Sequence, residues 1–166
     1  MVELLVTYME MRSAPEGQPR PLGEPCTRVA VERLGLADYR TLYWAVGEAV
    51  QWDERLRLAD RALAAILDAP TTEIHVLRVA GVASGFCELD LSGLPEIEIV
   101  YFGIVPDVQG RGLGPILLDR ALHAAWAREP SRVWLHTDTN DHPGAQAMYA
   151  RAGFVACLTR LERFPA

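Results

Sequence analysis

The chain has 166 residues, half of them apolar, and a formal net charge of −6. This length and apolar content predict one folded domain over residues 1–166 and argue against a disordered or fibrous protein. The negative charge argues against nucleic acid as a partner, since phosphate binding needs a basic surface. No apolar stretch approaches the roughly 20 residues that cross a bilayer, and the first residues lack the basic start of a signal peptide. We therefore expect a cytoplasmic protein that does not act on a membrane.

The three cysteines, Cys26, Cys87 and Cys157, lie far apart in the sequence. They form no CxxC pair, and no histidine stands at metal-ligand spacing from them. An odd, scattered set of cysteines argues against both a disulfide framework and a structural zinc site. We expect no metal.

The first half of the chain alternates between strand and helix patterns. The predicted elements are a strand over 2–11, a loop over 14–25 with four prolines, a strand over 27–34 and helices over 37–50 and 58–67. The helix over 37–50 rests on apolar residues at helical spacing: Tyr39, Leu42, Tyr43, Val46 and Val50.

The second half begins with runs typical of strands. "TTEIHVLRVA" and "VASGFCELDL" are separated by Gly81 and predict an antiparallel hairpin, to which residues 96–105 add a third strand. The remaining predicted elements are a helix over 114–128, a strand over 132–137, a helix over 143–152 and a strand over 154–163. The pattern indicates an α+β fold with a largely antiparallel sheet.

A glycine-rich segment, Gln109-Gly-Arg-Gly-Leu-Gly114, joins a strand to a helix. Free amides at a helix N-terminus form an anion site, so phosphate or pyrophosphate is the expected ligand. Arg111 either adds charge to this site or faces solvent. The segment matches neither a P-loop, which ends in GK[ST], nor the GxGxxG dinucleotide fingerprint. A glycine-rich turn that binds nothing is the remaining alternative.

"IVPDVQGRGLG" resembles the acetyl-CoA-binding motif of the GNAT superfamily of N-acetyltransferases, Q/R-x-x-G-x-G/A, through Gln109, Gly112 and Gly114. "HPGAQAMYARAGF" is similar to the second motif of that family, which includes Tyr149. The two motifs span roughly residues 96–164. The resemblance implies a three-layer α/β/α fold: a mixed, mostly antiparallel central sheet with splayed strands, flanked by about four helices.

The resemblance also implies how acetyl-CoA is bound. The strand ending at Ile104 and Val105 would splay from its neighbour, so that its free backbone groups bind pantetheine. The loop amides would hold the pyrophosphate, and the residues concerned are Gly110, Arg111, Gly112, Leu113 and Gly114. The family usually has asparagine seven residues before the motif tyrosine, where this chain has His142. Whether His142 contacts pantetheine or caps or packs the following helix is open.

The activity that the resemblance implies is transfer of the acetyl group to a primary amine by direct attack in a ternary complex, without metal. The amine needs a base, since an alkylammonium has a pKa near ~10.4. Strand alternation places Glu98 on one face, with Ile99 and Tyr101 on the other, and apolar surroundings predict a raised pKa for Glu98. Glu98 is the first candidate base, and Glu88 on the neighbouring strand is the second. His75 and His136 are weaker candidates.

Two further catalytic roles follow from the resemblance. Tyr149 would donate a proton to the departing sulfur, with packing against pantetheine as the alternative. The backbone N–H of Ile104 or Val105 would stabilise the oxyanion.

The acceptor would lie by the first two helices, where the candidate contacts are Tyr43, Trp44, Trp52 and Tyr101, with Glu48, Asp53 and Glu54 as carboxylates. Core packing is the alternative for each aromatic residue. Tryptophans beside acidic groups would favour a cationic amine with an apolar or aromatic part. A catalytically silent acyl-CoA sensor or scaffold, transfer of a longer acyl group, and a homodimer through C-terminal strands also remain open, and the sequence does not identify the acceptor.

Overall fold

The computed structural model describes residues 1–166 as a single seven-stranded sheet with helices on both faces. The strands are β1 (Val2–Met11), β2 (Thr27–Val31), β3 (Thr72–Val79), β4 (Val82–Asp90), β5 (Glu96–Ile104), β6 (Arg132–Asp138) and β7 (Val155–Phe164). The helices are α1 (Leu36–Gly47), α2 (Asp60–Asp68), α3 (Leu113–Trp126) and α4 (Ala145–Ala152). Three short 3-10 turns cover residues 48–50, 55–57 and 106–108. None of these helices has the length and apolar character needed to cross a membrane.

The strand order is β2-β3-β4-β5-β6-β1-β7. All neighbours are antiparallel except β5 and β6, which are parallel. The predicted meander of β3, β4 and β5 is confirmed. The N-terminal strand β1 lies between β6 and β7, so residues 2–11 complete the C-terminal half of the sheet.

Two apolar cores separate the helices from the sheet. Fully buried leucines of α3 (Leu117, Leu118 and Leu122) pack on one face together with α4. Tyr39 and Tyr43 of α1 pack on the other face together with α2. Full burial of one leucine contributes about 1.5–3 kcal/mol, so each layer is held by many such side chains. The predicted three-layer arrangement is confirmed.

Several element boundaries differ from the predictions for local reasons. α1 ends at Gly47 and not at 50, because the chain tightens into a 3-10 turn and then reverses at Gln51, whose φ is +61°. β2 ends at Val31, its last residue paired with β3. α4 begins at Ala145 and not at 143, because the Gly144 N–H is donated to the side chain of His142.

The proline-rich segment after β1 lies along the outer side of α3. The Arg20 N–H donates to the Asp119 carboxylate at 2.7 Å, and the Arg20 carbonyl accepts from the Arg120 guanidinium at 2.8 Å. His123 also contacts the Gly17 carbonyl at 3.1 Å. The segment is a loop, as predicted, and hydrogen bonds tie it to α3.

Candidate active site

The central feature of the site is a gap between the parallel strands β5 and β6. They pair only through residues 96–98 of β5 and 132–134 of β6, and then diverge. The Val105 N–H donates to the Ser84 carbonyl on β4 at 2.8 Å. Because hydrogen-bonded and non-hydrogen-bonded pairs alternate along antiparallel strands, the backbone groups of Ile104 point away from β4 and toward the gap.

The predicted splay therefore exists, but it begins directly after Glu98, well before Ile104. The Gln109 side-chain amide approaches the Ile104 carbonyl at 3.4 Å. The Val105 N–H is already used within the sheet, so of the two N–H groups considered for the oxyanion that of Ile104 remains the candidate. Ile104 keeps its N–H directed into the gap.

The glycine-rich loop closes one end of this gap. Gly110 and Gly112 have φ values of +77° and +75°, a region that favours glycine, and a Cβ at either position would meet open space. None of the backbone N–H groups from Gly110 to Gly114 donates a hydrogen bond within the protein. Since Gly112 is the N-cap of the 14-residue helix α3, these free amides lie at the positive end of its dipole. The geometry fits a diphosphate.

Two residues of the loop point elsewhere. Leu113 is buried in the core beneath α3. The Arg111 guanidinium pairs with the Glu24 carboxylate, with an Nη2–Oε1 distance of 2.5 Å. Arg111 is thus bonded to the proline-rich segment, and its side chain is partly exposed.

Tyr149 of α4 lies on the α3/α4 side of the gap. Its ring meets Phe102 of β5 edge-on with centroids 6.0 Å apart, and it packs in the same way on Phe154. The side chain is buried, and burial together with the Asp141 carboxylate raises the pKa of Tyr149 above 10. Its hydroxyl is therefore protonated at neutral pH and can donate a hydrogen bond.

His142 stabilises the turn that precedes α4. Its Nδ1 accepts a hydrogen bond from the Gly144 N–H at 3.0 Å. The neighbouring Asp141 carboxylate accepts from the Asp138 N–H at 3.0 Å. The sequence left open whether His142 contacts pantetheine or caps or packs the following helix, and these bonds match a local structural role. The N-cap of α4 is Gly144, which has no side-chain cap.

A bulge in β5 changes which side chains share a face. Glu88 lies opposite Tyr101 while Leu89 lies opposite Ile99, so Val100 is an extra residue. Ile99 packs in the α3/α4 core, whereas Tyr101 packs with the α1/α2 core. The expectation that Tyr101 shares a face with Ile99 was therefore wrong, because one inserted residue reverses the alternation.

Glu98 is the last residue of β5 before the strands part. It is half-buried, and its carboxylate makes no hydrogen bond or ion pair with the protein. Burial, followed by the nearby charges of Asp90 and Glu54, raises its pKa to about 7. The raised pKa predicted from the sequence is confirmed. A carboxylate with this pKa can take up a proton near neutral pH.

Glu88, the second candidate base, has both oxygens occupied. One accepts from the Tyr39 hydroxyl and the other from Arg55 Nη2, each at 2.6 Å. Burial raises the pKa of Glu88, while the charge of Arg55 and the bond from Tyr39 oppose that rise. Glu88 thus joins the 55–57 turn to β4, and Arg55 belongs to the site without any sequence signal that marked it.

A cleft of about 440 Å³ opens beside Glu98. Its walls come from the 55–57 turn, α2 and strands β3 to β5. The lining residues are Arg55, Ala65, Ile66, Ala69, Thr71, Thr72, Glu88, Leu89, Asp90, Ser92, Glu98 and Val100. Three carboxylates and one guanidinium give this cleft an acidic character.

The four aromatic residues expected to contact the acceptor do not line this cleft. Tyr43 is fully buried, and Trp52 packs on Tyr101 with centroids 5.0 Å apart. Trp44 is half-exposed on α1, and the Tyr101 hydroxyl donates to Glu54 at 3.1 Å. For Tyr43 and Trp52 the structure matches the packing alternative.

A splayed parallel pair whose gap ends at free amides of a helix N-terminus is the arrangement expected for the N-acetyltransferase class. A family model described as "Acetyltransferase (GNAT) family" matches residues 36–154. The chain belongs to the GNAT family.

Relatives of known name agree with this assignment. A mycothiol acetyltransferase of Gordonia bronchialis is 31% identical over 139 residues, which is 82% of this chain and 43% of that protein. Another, of Beutenbergia cavernae, is 44% identical over 57 residues, 34% of this chain and 19% of that protein. The chain thus spans less than half the length of these relatives.

Among solved structures, a GCN5-related N-acetyltransferase of Sphaerobacter thermophilus has a TM-score of 0.66 at 21% identity. It covers 95% of this chain, which in turn covers 50% of it. At this identity the similarity concerns the fold.

Proposed function

We propose that the protein transfers the acetyl group of acetyl-CoA to a primary amine by direct attack in a ternary complex. The main support for this proposal is Glu98, because its unpaired carboxylate has a pKa of about 7 and lies where β5 and β6 part. The naming of the relatives as mycothiol acetyltransferases supports acetyl transfer as the reaction.

Acetyl-CoA fits the residues around the gap. The free amides of 110–114 would hold its pyrophosphate, and the backbone groups of Ile104 would bind its pantetheine arm. Acetyl-CoA supplies the thioester carbonyl that the amine attacks. Gly110 and Gly112 keep the loop surface free of side chains, so a ligand can approach the backbone closely.

Glu98 removes the proton from the amine. A free alkylammonium has a pKa near ~10.4 and no lone pair, so it cannot attack until this proton leaves. Glu98 accepts the proton directly or through one water molecule. The carboxylate of Asp90 in the same cleft attracts the ammonium before deprotonation, whereas the charge of Glu88 is compensated by Arg55.

Tyr149 supplies the proton that the departing sulfur needs. It lies on the α3/α4 side of the gap, whereas Glu98 faces the α1/α2 side with the acidic cleft. The acid and the base therefore act from opposite sides of the thioester. The buried hydroxyl of Tyr149 keeps its proton until the thiolate forms.

The test combines two measurements on the purified chain. Calorimetric titration with acetyl-CoA reports binding, and thiol release in the presence of a panel of primary amines reports transfer. We expect binding together with amine-dependent thiol release. Binding without release for any amine would instead support a silent acyl-CoA-binding domain, and an absence of binding would contradict the assigned loop.

A further inference from the structure

The acceptor would approach the gap from the side opposite α3 and α4. This inference rests on the proposed acetyl transfer. The loop amides and Tyr149 lie on the α3/α4 side, so the cofactor would occupy that side. On the other side, α1 and α2 pack against β3, β4 and β5. The neighbouring strands β6, β1 and β7 carry side chains on this face that remain accessible.

An aromatic surface lies on that face, directly across from Glu98. Trp134 is paired with Glu98 in register, at the last position before the strands part. Val133 and Leu135 are buried in the α3/α4 core, so alternation points Trp134 and His136 to the opposite face. Tyr8 of β1 completes the surface, with its ring centroid 6.3 Å from Trp134 and 5.6 Å from His136.

These three aromatic side chains, which we call the aromatic platform, are partly accessible to a ligand. The Arg132 guanidinium lies over the Trp134 ring at 5.5 Å and the Arg160 guanidinium over the Tyr8 ring at 5.1 Å, so a ligand meets the remaining ring surface. Trp134 and Tyr8 are partly exposed and His136 is exposed. None of them is in the acceptor set expected from the sequence, because that set came from the first two helices. The positions of β1 and β6 next to β5 bring them to the gap.

The charges on the two sides of the gap differ. Around the platform, Arg132 pairs with Glu10 and Arg160 pairs with Glu162, so these charges cancel. Across the gap, Glu98 has no partner. The unbalanced charge at the reacting end is therefore negative when Glu98 is ionised, and it complements an ammonium group.

The spacing of the strands sets the length of the acceptor. Neighbouring strands lie about 4.8 Å apart, so Trp134 is one strand from Glu98 and Tyr8 is two strands away. An ammonium at Glu98 and a flat apolar group on the platform are then roughly 5–10 Å apart. A short carbon link between an amine and an aromatic ring spans that distance.

We propose that the acceptor is a primary arylalkylamine, whose ammonium group lies at Glu98 and whose ring packs on Trp134 and Tyr8. The ring gains offset stacking with the indole, and the amine gains the attraction of the carboxylates. Trp134 is thus a specificity-determining residue, while the chemistry depends on Glu98 and Tyr149.

The test compares two amines that differ in the ring. For Trp134→Ala, we expect kcat/KM with 2-phenylethylamine to fall about tenfold, the scale of one aromatic stacking contact, while kcat/KM with n-butylamine changes less than twofold. Trp134→Phe should retain most of the activity with the aromatic amine. Leu161→Ala, which removes an exposed apolar side chain of β7, is the matched control and should change neither value. Equal losses for both amines, or no loss, would overturn the proposal.

A binding measurement separates this proposal from the proposed reaction. If neither amine releases thiol, the acetyl-transfer proposal fails, and 2-phenylethylamine is then titrated calorimetrically into the protein saturated with CoA. Binding to the wild type that weakens about tenfold in Trp134→Ala would still support the platform as an arylalkylamine site. Equal binding to both proteins, or no binding to the wild type, would overturn it.

Discussion

Glu98 and Trp134 are the last pair that joins β5 to β6, and the two strands separate immediately beyond them. This pair therefore marks the inner end of the gap, where a thioester bound between the strands would meet an acceptor. The carboxylate of Glu98 lies on the β5 side of this point and the indole of Trp134 on the β6 side. The proposed base and the proposed specificity residue are direct neighbours in the sheet.

The first prediction concerns the effect of Glu98 on stability. Because the folded state raises its pKa to about 7, the folded protein keeps a proton between about pH 4.5 and 7 that the unfolded chain has lost. The free energy of unfolding should therefore fall as pH rises through this window. Glu98→Gln should remove that fall. At pH 8 the free energy of unfolding of the variant should exceed that of the wild type by roughly 1–2 kcal/mol, after allowance for screening of this partly exposed group.

Urea unfolding at pH 4.5 and pH 8 measures this gain. Glu96→Gln, which removes an exposed carboxylate of the same strand, provides the baseline. A Glu98→Gln protein that gains nothing relative to this baseline at pH 8 would show that Glu98 titrates normally in the folded state.

The second prediction concerns the buried network of Glu88, Tyr39 and Arg55. Glu88→Gln leaves the buried guanidinium of Arg55 without its ion partner, so we expect a loss of about 3 kcal/mol in the free energy of unfolding. Tyr39→Phe removes one hydrogen bond and should cost about 1 kcal/mol. Urea denaturation compares the two variants.

A double variant makes this prediction sharper. Arg55→Met combined with Glu88→Gln removes the uncompensated charge, so it should be more stable than Glu88→Gln alone. If the double variant is less stable than the single one, the ion pair does not explain the cost.

The extent to which the sequence predicts this site can be judged from β1 and β5. The glycine loop and Tyr149 carry local motifs, so their placement near one gap could be expected. The bulge at Val100 leaves no trace in the apolar pattern, and it alone decides that Tyr101 faces the α1/α2 core. The insertion of β1 beside β6 is a long-range pairing, and no local pattern predicts which strand is its neighbour.

Burial decided the remaining differences. In the sequence, Arg55 is one of several charged residues between two predicted helices. Only the fold brings it against Glu88. The helical spacing of Tyr43 is the same whether it packs or binds a ligand, and the structure buries Tyr43 completely.

The third prediction concerns the glycine loop. Gly112 and Gly17 both have a φ of +75° and open space where a Cβ would stand, so an alanine at either position has a similar conformational cost of about 1–2 kcal/mol. Only Gly112 lies among the free amides of α3. We expect Gly112→Ala to weaken acetyl-CoA binding about tenfold or more and Gly17→Ala to leave it unchanged, as measured by calorimetry. Equal affinities in the two variants would place the cofactor elsewhere.

The fourth prediction concerns Tyr149. Tyr149→Phe removes the hydroxyl and keeps the ring contacts with Phe102 and Phe154. We expect kcat to fall about 10²-fold, the lower end of what proton transfer contributes, while the Kd for acetyl-CoA stays within twofold. Steady-state thiol release and calorimetry give the two quantities. An unchanged kcat would leave Tyr149 with a packing role alone.

The central claim is that Glu98 accepts the proton of the amine, and the pH dependence of kcat/KM tests it most directly. Thiol release with a reactive amine between pH 5.5 and 8.5 should rise in the wild type with an apparent pKa of about 7, because the ionised carboxylate is the active form. Glu98→Gln should lose this rise together with at least 10²-fold of the rate at pH 7.5. A Glu98→Gln protein that keeps both the rate and the rise would contradict the account.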